Sequence, residues 1–383
     1  MPLLDRRREE FPGLAAGTYL LSHSQGPMPR RARVWLDRYL DLWQGHADAN
    51  AWKEEWWELS RTLGDGFGRL LGAPANSVQV QASASAAMLT VASCLDYAER
   101  PRIVTTGLEF PTAEYIWREQ ERLGARLDVV ASRDGIRTPV DELLDRIDDR
   151  TSLVVLSHAS FLSSHLIDPA VVVERARDHG ARVLLDVYQT AGALPLEVET
   201  WGVDFAVGGT IKWLCGGPAC GYLYVRADVA QQLRPRMTGW IAHEDPFAFA
   251  RGPIRLAEGA RRFAQGTPPV PGLYSALAGL EIVEEVGVSA IAAESRRRTQ
   301  ALVDFALENG LPLRSPALEA DRGASVMVAS ADPERLVAEL ASRRIFTDAR
   351  PGVVRLSPHF FNTDGELETT RATLLELLQT PTL

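Results

Sequence analysis

Cysteine is scarce in this 383-residue sequence, which contains only Cys94, Cys215 and Cys220. No two of them form a CxxC pair. A disulfide framework or a structural zinc site needs several cysteines at regular spacings, so the sequence predicts neither. Cys215 and Cys220 flank a Gly-Gly-Pro turn, where buried thiols that only pack are commoner than redox-active ones. We therefore expect no metal site.

Long apolar runs are also missing. No uncharged stretch approaches the roughly 20 residues that a membrane-spanning helix needs. The N-terminal sequence MPLLDRRREEFPGL is charged from Asp5 onward, so it lacks the apolar core of a signal peptide. These two observations predict a soluble cytoplasmic protein with no membrane partner.

An excess of positive charge is absent as well. The chain has 41 lysines and arginines against 50 acidic residues, a formal net charge of −9. Acidic proteins are poor candidates for sequence-independent binding to nucleic acid. Short basic runs at Arg6–Arg8 and Arg296–Arg298 are typical of solvated helix faces. A small-molecule substrate is the better expectation.

The sequence does contain a regular alternation of strands and helices from about Ser77 to Val225. Apolar runs such as RIVTT, SLVVLSHA, ARVLLD and GYLYV predict strands, and VDELLDRI and PAVVVERARD predict helices. The second helix has Asp168 as its cap, Pro169 at its first position and Gly180 as its stop. Strands this apolar, separated by helices, indicate an α/β fold with a mostly parallel sheet.

The pattern changes after about Pro269, where two long helices precede the strand ASVMVAS, the helix DPERLVAELASRR and the strand GVVRLSPH. This order predicts a smaller C-terminal α/β domain at 269–383. A large domain is expected at 46–268. The first segment, 1–45, is expected to pack on the domains.

Asp186 and Lys212 form the first candidate site. Asp186 ends the strand ARVLLD, and Lys212 follows the run VDFAV by a few residues. Ligands of α/β sheets bind beyond the carboxyl ends of the strands. An amine and a carboxylate meeting there are what pyridoxal 5′-phosphate requires: the amine forms a Schiff base, and the carboxylate keeps the pyridine nitrogen protonated. A surface lysine and a capping aspartate are the ordinary alternative, so the flanking residues decide.

Those flanking residues resemble a known family. The stretch LLDVYQTAGALPLEVETWGVDFAVGGTIKWLCGGPACGYLYVR resembles the cofactor core of class V, fold-type I pyridoxal-phosphate enzymes, most of all kynureninase. Further similar segments are YLLSHSQGPMP, QGHADANAW, EFPTAEY, PRMTGWIAH, FAQGTPP and PGVVRLSPHFFNT. The resemblance implies a large domain with a mostly parallel, seven-stranded-type sheet, a smaller C-terminal domain, pyridoxal 5′-phosphate as cofactor and a homodimer with a shared active site.

The resemblance also assigns roles around the cofactor ring. Lys212 matches the Schiff-base lysine, which would also move protons at the substrate. Asp186 matches the partner of the pyridine nitrogen. Gln189 stands where kynureninases usually carry histidine and cysteine desulfurases carry glutamine, and its amide can still donate to the phenolic oxygen of the cofactor. Phe110 matches the aromatic side chain that stacks on the ring.

The phosphate is expected at the N-terminus of a helix beginning near Ser83, Ala84 and Ser85, because free N–H groups and the helix dipole favour an anion there. Ala84 replaces a residue that often carries a hydroxyl in the family. Trp240 and Thr267 match positions that reach the phosphate from the neighbouring subunit.

The substrate is expected to contact four residues. Arg355 matches the arginine that binds the α-carboxylate, for which a planar fork of donors is well suited. Ser24 and His46 match positions that line the side-chain pocket, and His23 belongs to the same segment as Ser24.

Three departures from the kynureninase pattern leave the reaction open. Ile211 replaces a tyrosine next to the lysine, and Ala113 replaces an aspartate. The early segment N-S-L-G of the family is His23-Ser24-Gln25-Gly26 in this sequence. Kynureninase-like cleavage of the Cβ–Cγ bond is the first hypothesis. The second is another class V reaction on an amino acid: C–S lysis, aminotransfer or epimerisation. A non-catalytic protein on the same fold is the third. A cysteine desulfurase is disfavoured, because no cysteine lies in the region of DARPGVVRLSPHF.

Overall fold

The computed structural model describes residues 8–45 and 51–379. Strands within these ranges are β1 (Thr18–Tyr19), β2 (Val78–Gln81), β3 (Arg102–Thr106), β4 (Arg126–Val130), β5 (Thr151–Ser157), β6 (Arg182–Asp186), β7 (Phe205–Gly209), β8 (Gly221–Val225), β9 (Val326–Ala329), β10 (Ile345–Phe346), β11 (Asp348–Arg350) and β12 (Val353–Leu356).

Helices within the same ranges are α1 (Arg30–Gly45), α2 (Trp57–Leu71), α3 (Ala84–Ala92), α4 (Pro111–Glu119), α5 (Val140–Arg146), α6 (Pro169–Asp178), α7 (Val198–Trp201), α8 (Ala227–Gln232), α9 (Val270–Val286), α10 (Val288–Glu308), α11 (Pro333–Ser342) and α12 (Asp364–Gln379). None of these helices is long and apolar enough to cross a membrane.

A seven-stranded sheet with the order β2-β8-β7-β6-β5-β3-β4 forms the centre of the fold. The strands from β3 to β7 pair in parallel, which confirms the predicted mostly parallel sheet. The exception is β8, which is antiparallel to both neighbours. The connection from β7 to β8 contains no helix, and a parallel pair needs a longer crossover.

Both faces of this sheet are covered, because neighbouring residues of its strands alternate between two apolar clusters. Val183 and Leu185 belong to one cluster, and Leu184 between them belongs to the other. The first cluster includes residues of α2 and α9, and the second includes residues of α3 and α4. Strands buried on both sides read as continuous apolar runs, which is why the sequence identified them.

Capping residues begin two helices that border the sheet. The Oγ atom of Ser83 accepts a hydrogen bond from the N–H of Ala86 at 3.1 Å, at the start of α3. Asp168 caps α6 in the same way, through the N–H of Ala170 at 3.0 Å. These bonds satisfy donors that lack partners in the first turn of a helix. The predicted cap at Asp168 is confirmed.

A second, antiparallel sheet of order β11-β12-β9 lies in the C-terminal part. Its core also includes Leu20, next to β1, and β1 pairs in parallel with β10. The N-terminal segment is thereby attached to the C-terminal sheet. Helix α9, however, contributes Val270, Leu273 and Leu280 to the cluster on the large sheet. The domain limits after residues 45 and 268 stay a prediction.

Candidate active site

Lys212 lies in the loop between β7 and β8, beyond the carboxyl end of β7. Its Nζ atom is 4.1 Å from the ring centroid of Tyr188 and 5.7 Å from that of Phe110. Burial lowers the pKa of this amine from 10.5 to about 8, although the negative charge of Asp186 acts in the opposite direction. Near neutral pH, part of the lysine is therefore the uncharged amine that can attack an aldehyde.

Asp186 ends β6, the strand next to β7. Its Oδ1 atom accepts a hydrogen bond from the N–H of Tyr188 at 2.8 Å. Among the residues that the structure describes, Oδ2 has no hydrogen-bond partner. Burial raises the pKa of the Asp186 carboxyl, and both that hydrogen bond and the charge of Lys212 counteract the rise. A ligand with a protonated nitrogen would pair with this carboxylate.

The loop that carries Lys212 is held against the N-terminal segment. The N–H of Gly26 donates to the carbonyl oxygen of Ile211 at 2.6 Å. A Cβ atom on Gly26 would lie 2.8 Å from the Sγ atom of Cys215, so only glycine permits this approach. The contact explains how residues near position 23, far away in sequence, reach the site.

A cavity of about 210 Å³ lies at the amine of Lys212. It brings together most of the residues predicted from sequence, namely His23, Ser24, Ala84, Ser85, Phe110, Asp186, Gln189, Lys212 and Arg355. Its wall also includes Tyr188 and Phe161, which the sequence analysis did not select. Ala113, one of the departures from the kynureninase pattern, lines it too.

Other predicted residues lie elsewhere. Ser83 is not part of this wall but caps the helix beside it. Thr267 lines a different, larger cavity of about 1030 Å³, together with Trp52. Trp240 packs against Trp52, with ring centroids 5.6 Å apart. The roles of Trp240 and Thr267 toward a neighbouring subunit stay predictions, and His46 lies outside the described residues.

Gln189 already uses part of its amide. Its Nε2 atom donates to the carbonyl oxygen of His23 at 3.1 Å, and its Oε1 atom accepts from Nε1 of Trp213 at 3.3 Å. These two bonds fix which end of the amide is the donor. One N–H of Nε2 remains for a ligand, as the predicted contact with a phenolic oxygen requires.

The N-terminus of α3 forms another part of the wall through Ala84 and Ser85. Gly221, the first residue of β8, lies directly against it. A Cβ atom on Gly221 would lie 2.7 Å from the backbone nitrogen of Ala84, closer than real Cβ atoms come. The helix start therefore keeps its position only with glycine at 221. Its free N–H groups suit an anion.

Asp348 is a charged residue of the site that the sequence did not indicate. Its carboxylate accepts two hydrogen bonds from Arg355, from Nε at 2.9 Å and from Nη2 at 2.6 Å. It also contacts Nε2 of His23 at 2.6 Å, Oγ of Ser24 at 2.5 Å and Nη1 of Arg350 at 3.2 Å. Burial acts to raise the pKa of Asp348, but the bonds from His23 and Arg355 outweigh it and hold the pKa well below its usual range.

A signal for this pair does exist in the sequence. Pro351 and Gly352 form a tight turn, with a φ of 79° at Gly352. Residues at equal distances on either side of such a turn face each other across the hairpin. Asp348 is accordingly in register with Arg355. The segment DARPGVVR thus encodes a cross-strand pair, provided that both of its strands are recognised.

Glu109 and Ser157 form a further missed pair at the carboxyl ends of β3 and β5. The Oγ atom of Ser157 donates to Glu109 at 2.6 Å, and that of Thr106 donates at 2.8 Å. Burial raises the pKa of Glu109 to about 7. Ser157 lines the cavity and is in register with Asp186. The cavity therefore has a second carboxyl group behind its wall.

Comparison with known proteins agrees with this geometry. Residues 18–374 match the family described as "Aminotransferase class-V". The chain belongs to the class V aminotransferase family. The class V resemblance stated from sequence is confirmed, and pyridoxal 5′-phosphate, the predicted cofactor, is the cofactor of this family.

Individual relatives differ in their described activities. An "Uncharacterized aminotransferase YcbU" of Bacillus subtilis is 32% identical over 95% of this chain and 95% of its own length. A kynureninase of Deinococcus radiodurans is 29% identical over 92% of this chain and 88% of its own. The solved apo structure of a cysteine desulfurase from Thermococcus onnurineus has a TM-score of 0.88, with 99% of each chain covered. At 20% identity, that structure supports the fold alone.

The site of this class V chain fits its cofactor in three places. Lys212 offers a partly uncharged amine, Asp186 offers an open carboxylate oxygen, and α3 begins in a cradle that a Cβ atom at 221 would fill. These groups are suited respectively to the aldehyde, the ring nitrogen and the phosphate of pyridoxal 5′-phosphate.

Proposed function

We propose that this protein is a kynureninase-like hydrolase. It would cleave the Cβ–Cγ bond of kynurenine, or of a related aryl-keto amino acid, with water to give an aromatic acid and alanine. The observation that carries the proposal is the aromatic wall around the amine. Phe161 and Tyr188 line the cavity of Lys212 beside Phe110, the ring expected to stack on the cofactor, and flat rings are good neighbours for an aryl side chain.

Pyridoxal 5′-phosphate, when bound, supplies an aldehyde for imine formation and a ring that withdraws electrons from the substrate. Lys212 would hold the cofactor and then act as the base at Cα, because its lowered pKa leaves an uncharged amine in the site. Asp186 would keep the ring nitrogen protonated. Gln189 and Phe110 would fix the plane of the ring.

The substrate carboxylate would bind at the cationic wall that contains Arg350 and Arg355, both of which line the cavity. Ser24 and His23 belong to the same wall and are held by Asp348. His46 is proposed as a further pocket residue, on the resemblance alone. This arrangement would point the side chain of the substrate toward the aromatic wall.

Aminotransfer is a second candidate reaction. The Bacillus subtilis relative is described as an aminotransferase and is 32% identical. In addition, Ile211 and Ala113 replace a tyrosine and an aspartate of the kynureninase pattern, and Ala113 lines the cavity. The loss of a possible proton donor next to Lys212 is compatible with a reaction that needs a different acid.

We also propose a homodimer in which Trp240 and Thr267 complete the phosphate site of the partner. An aromatic surface supports it: Trp240 packs with Phe249, a residue that is 74% exposed. Thr267 is likewise on the surface, beside a cavity of about 1030 Å³ that does not contain Lys212. Exposed aromatic clusters of this kind are typical of protein interfaces.

The deciding experiment supplies the purified holoenzyme with kynurenine and 3-hydroxykynurenine. We expect anthranilate or 3-hydroxyanthranilate together with an equal amount of alanine, and no product from Lys212→Ala. A parallel reaction contains a 2-oxo acid. Turnover that requires the 2-oxo acid would establish aminotransfer instead. A cofactor-loaded enzyme that converts neither substrate would refute the kynureninase assignment.

A further inference from the structure

Glu109 and Ser157 form a hydrogen-bonded pair that the proposed reaction does not use. The Oγ atom of Ser157 donates to one carboxylate oxygen of Glu109 at 2.6 Å, and the Oγ1 atom of Thr106 donates to the other at 2.8 Å. A serine hydroxyl has a single hydrogen. Because Glu109 accepts it, Ser157 offers only oxygen lone pairs to the cavity that it lines. This part of the wall therefore suits a hydrogen-bond donor or a positive charge.

Glu109 also lies close enough to Asp186 for their charges to interact. Ser157 ends β5 and is in register with Asp186 at the end of β6. Burial raises the pKa of Glu109 to about 7, and the negative charge of Asp186 adds to the rise, while the hydrogen bonds from Ser157 and Thr106 oppose it. Two carboxyl groups thus meet at one edge of the cavity, and their repulsion makes it costly to ionise both.

The protein has too little positive charge at this edge to neutralise both groups. Within residues 8–45 and 51–379, neither Asp186 nor Glu109 forms an ion pair. The charge of Lys212 acts on Asp186, but burial lowers the pKa of that amine to about 8. One carboxyl group therefore remains uncompensated even when the lysine is protonated. A ligand that brings a positive charge would favour the ionised form of both carboxyl groups.

We propose that Glu109 is a positioning residue for the cofactor: behind Ser157, its carboxylate supplements that of Asp186 and makes the site prefer a ring whose nitrogen is protonated. Asp186 has the open oxygen that such a nitrogen can contact. Glu109 contributes its charge and holds the hydroxyl of Ser157. A positive charge bound at Asp186 relieves the repulsion, so Glu109 gives up its proton to solvent when the ring binds near neutral pH. The inference rests on the class V cofactor and not on the proposed reaction.

The test compares the affinity of the cofactor-free protein for two ligands, pyridoxal 5′-phosphate and its 1-deaza analogue, in which a C–H group replaces the ring nitrogen. At about pH 8, we expect Glu109→Gln to weaken binding of pyridoxal 5′-phosphate about 3- to 10-fold and binding of the analogue less than about twofold. Asp186→Asn is the reference and should reduce the preference for the ring nitrogen more strongly. Glu119→Gln, at an exposed position of α4, is the matched control and should bind both ligands as the wild type does.

The effect of Glu109→Gln should also depend on pH. The negative charge of Glu109 is present above its pKa of about 7 and is lost as the pH falls, so wild type and Glu109→Gln should reach similar affinities at about pH 5. Ser157→Ala removes a hydrogen bond that lowers the pKa of Glu109. At neutral pH it should therefore weaken binding of pyridoxal 5′-phosphate more than binding of the analogue, and it should add little to Glu109→Gln in the double variant.

The inference is wrong if a folded Glu109→Gln protein keeps the wild-type affinity for pyridoxal 5′-phosphate, if it loses both ligands equally, or if its loss is the same at pH 5 as at pH 8. Should Glu109→Gln not fold, Ser157→Ala decides, and an unchanged preference between the two ligands in that variant contradicts the inference. Because these affinities do not depend on turnover, the result is separate from the proposed reaction. A protein that ignores kynurenine but shows the selective loss would refute the reaction and support the inference.

Discussion

Asp348 and Arg355 face each other across the β11–β12 hairpin, and one edge of the guanidinium donates two hydrogen bonds to the carboxylate. Arg355 is almost completely buried, whereas 23% of the Asp348 side chain is exposed. The arginine thus depends on this one carboxylate for its neutralisation. Removing one partner of a buried ion pair leaves an uncompensated charge, which costs far more than the intact pair contributes.

Asp348→Ala should therefore lower the free energy of unfolding by about 3 kcal/mol. Denaturant unfolding of the cofactor-free protein measures this loss of free energy, which should appear as a lower denaturant midpoint with an unchanged slope. Asp145→Ala, on an exposed position of α5, is the control and should change the free energy by less than about 0.5 kcal/mol. Equal stability of the two variants would contradict the buried-pair explanation.

The large sheet was predictable because its strands are continuous apolar runs with helices between them. The register of the C-terminal hairpin was not, because the sequence analysis assigned only GVVRLSPH to a strand. Asp348 therefore lies outside any predicted element, and the apolar pattern does not indicate its pairing with Arg355. The Asp348–Arg355 pair can be predicted by counting residues back from Arg355 across the turn at Pro351 and Gly352. A longer apolar pattern is not needed for this prediction.

The proximity of Asp186 and Lys212 is predictable from chain order, since Asp186 ends one strand and Lys212 follows the neighbouring parallel strand. The packing of α9 was harder to predict. Its apolar residues have the same spacing whichever sheet they cover, and the structure places Leu273 and Leu280 against the large one. Periodicity identifies a helix and its apolar face, but it does not identify the surface that this face contacts.

The titration of Lys212 gives a second prediction. Because burial lowers its pKa to about 8, the uncharged fraction grows as the pH rises. The rate at which pyridoxal 5′-phosphate attaches to the cofactor-free protein should therefore rise with pH, with its midpoint at about pH 8, and level off above it. Asp186→Asn removes a charge that raises this pKa, so the midpoint should move to lower pH. Borohydride trapping followed by mass spectrometry of the Lys212 peptide measures the rate.

Asp145→Asn is the matched control for that titration and should keep the wild-type midpoint. A midpoint near 10.5, the ordinary value for lysine, would show that the amine is not desolvated. A midpoint unaffected by Asp186→Asn would show that the carboxylate does not act on the amine.

Gly221→Ala should weaken cofactor binding about 10-fold or more, because the new Cβ atom would displace the first residues of α3 from the position that suits the phosphate. Titration of the cofactor-free protein with pyridoxal 5′-phosphate measures the dissociation constant. Gly365→Ala, where a Cβ atom meets nothing within 4 Å, is the control. Wild-type affinity in Gly221→Ala would exclude this helix start as the phosphate site.

The proposed shared active site predicts complementation between two inactive variants. Lys212→Ala removes the amine from the active site of the subunit that carries this change. Thr267→Asp would instead place a carboxylate beside the phosphate in the active site of the partner subunit. A hybrid dimer then contains one site with both changes and one intact site. After unfolding and refolding together in equal amounts, the mixture should recover about a quarter of the wild-type activity, with a particle mass twice the 42.1 kDa of the chain.

Asp186→Asn mixed with Lys212→Ala is the control for this experiment, because both residues line the same cavity within one chain. Each site of such a hybrid carries one damaged residue, so no activity should return. If the Thr267→Asp mixture also stays inactive, or if Thr267→Asp alone is fully active, then Thr267 does not serve the partner. Activity that returns when Lys212→Ala is mixed with Thr267→Asp, but not when it is mixed with Asp186→Asn, would require a phosphate site built from two subunits. If Thr267 served the site of its own chain, every site of the first hybrid would also carry a damaged residue.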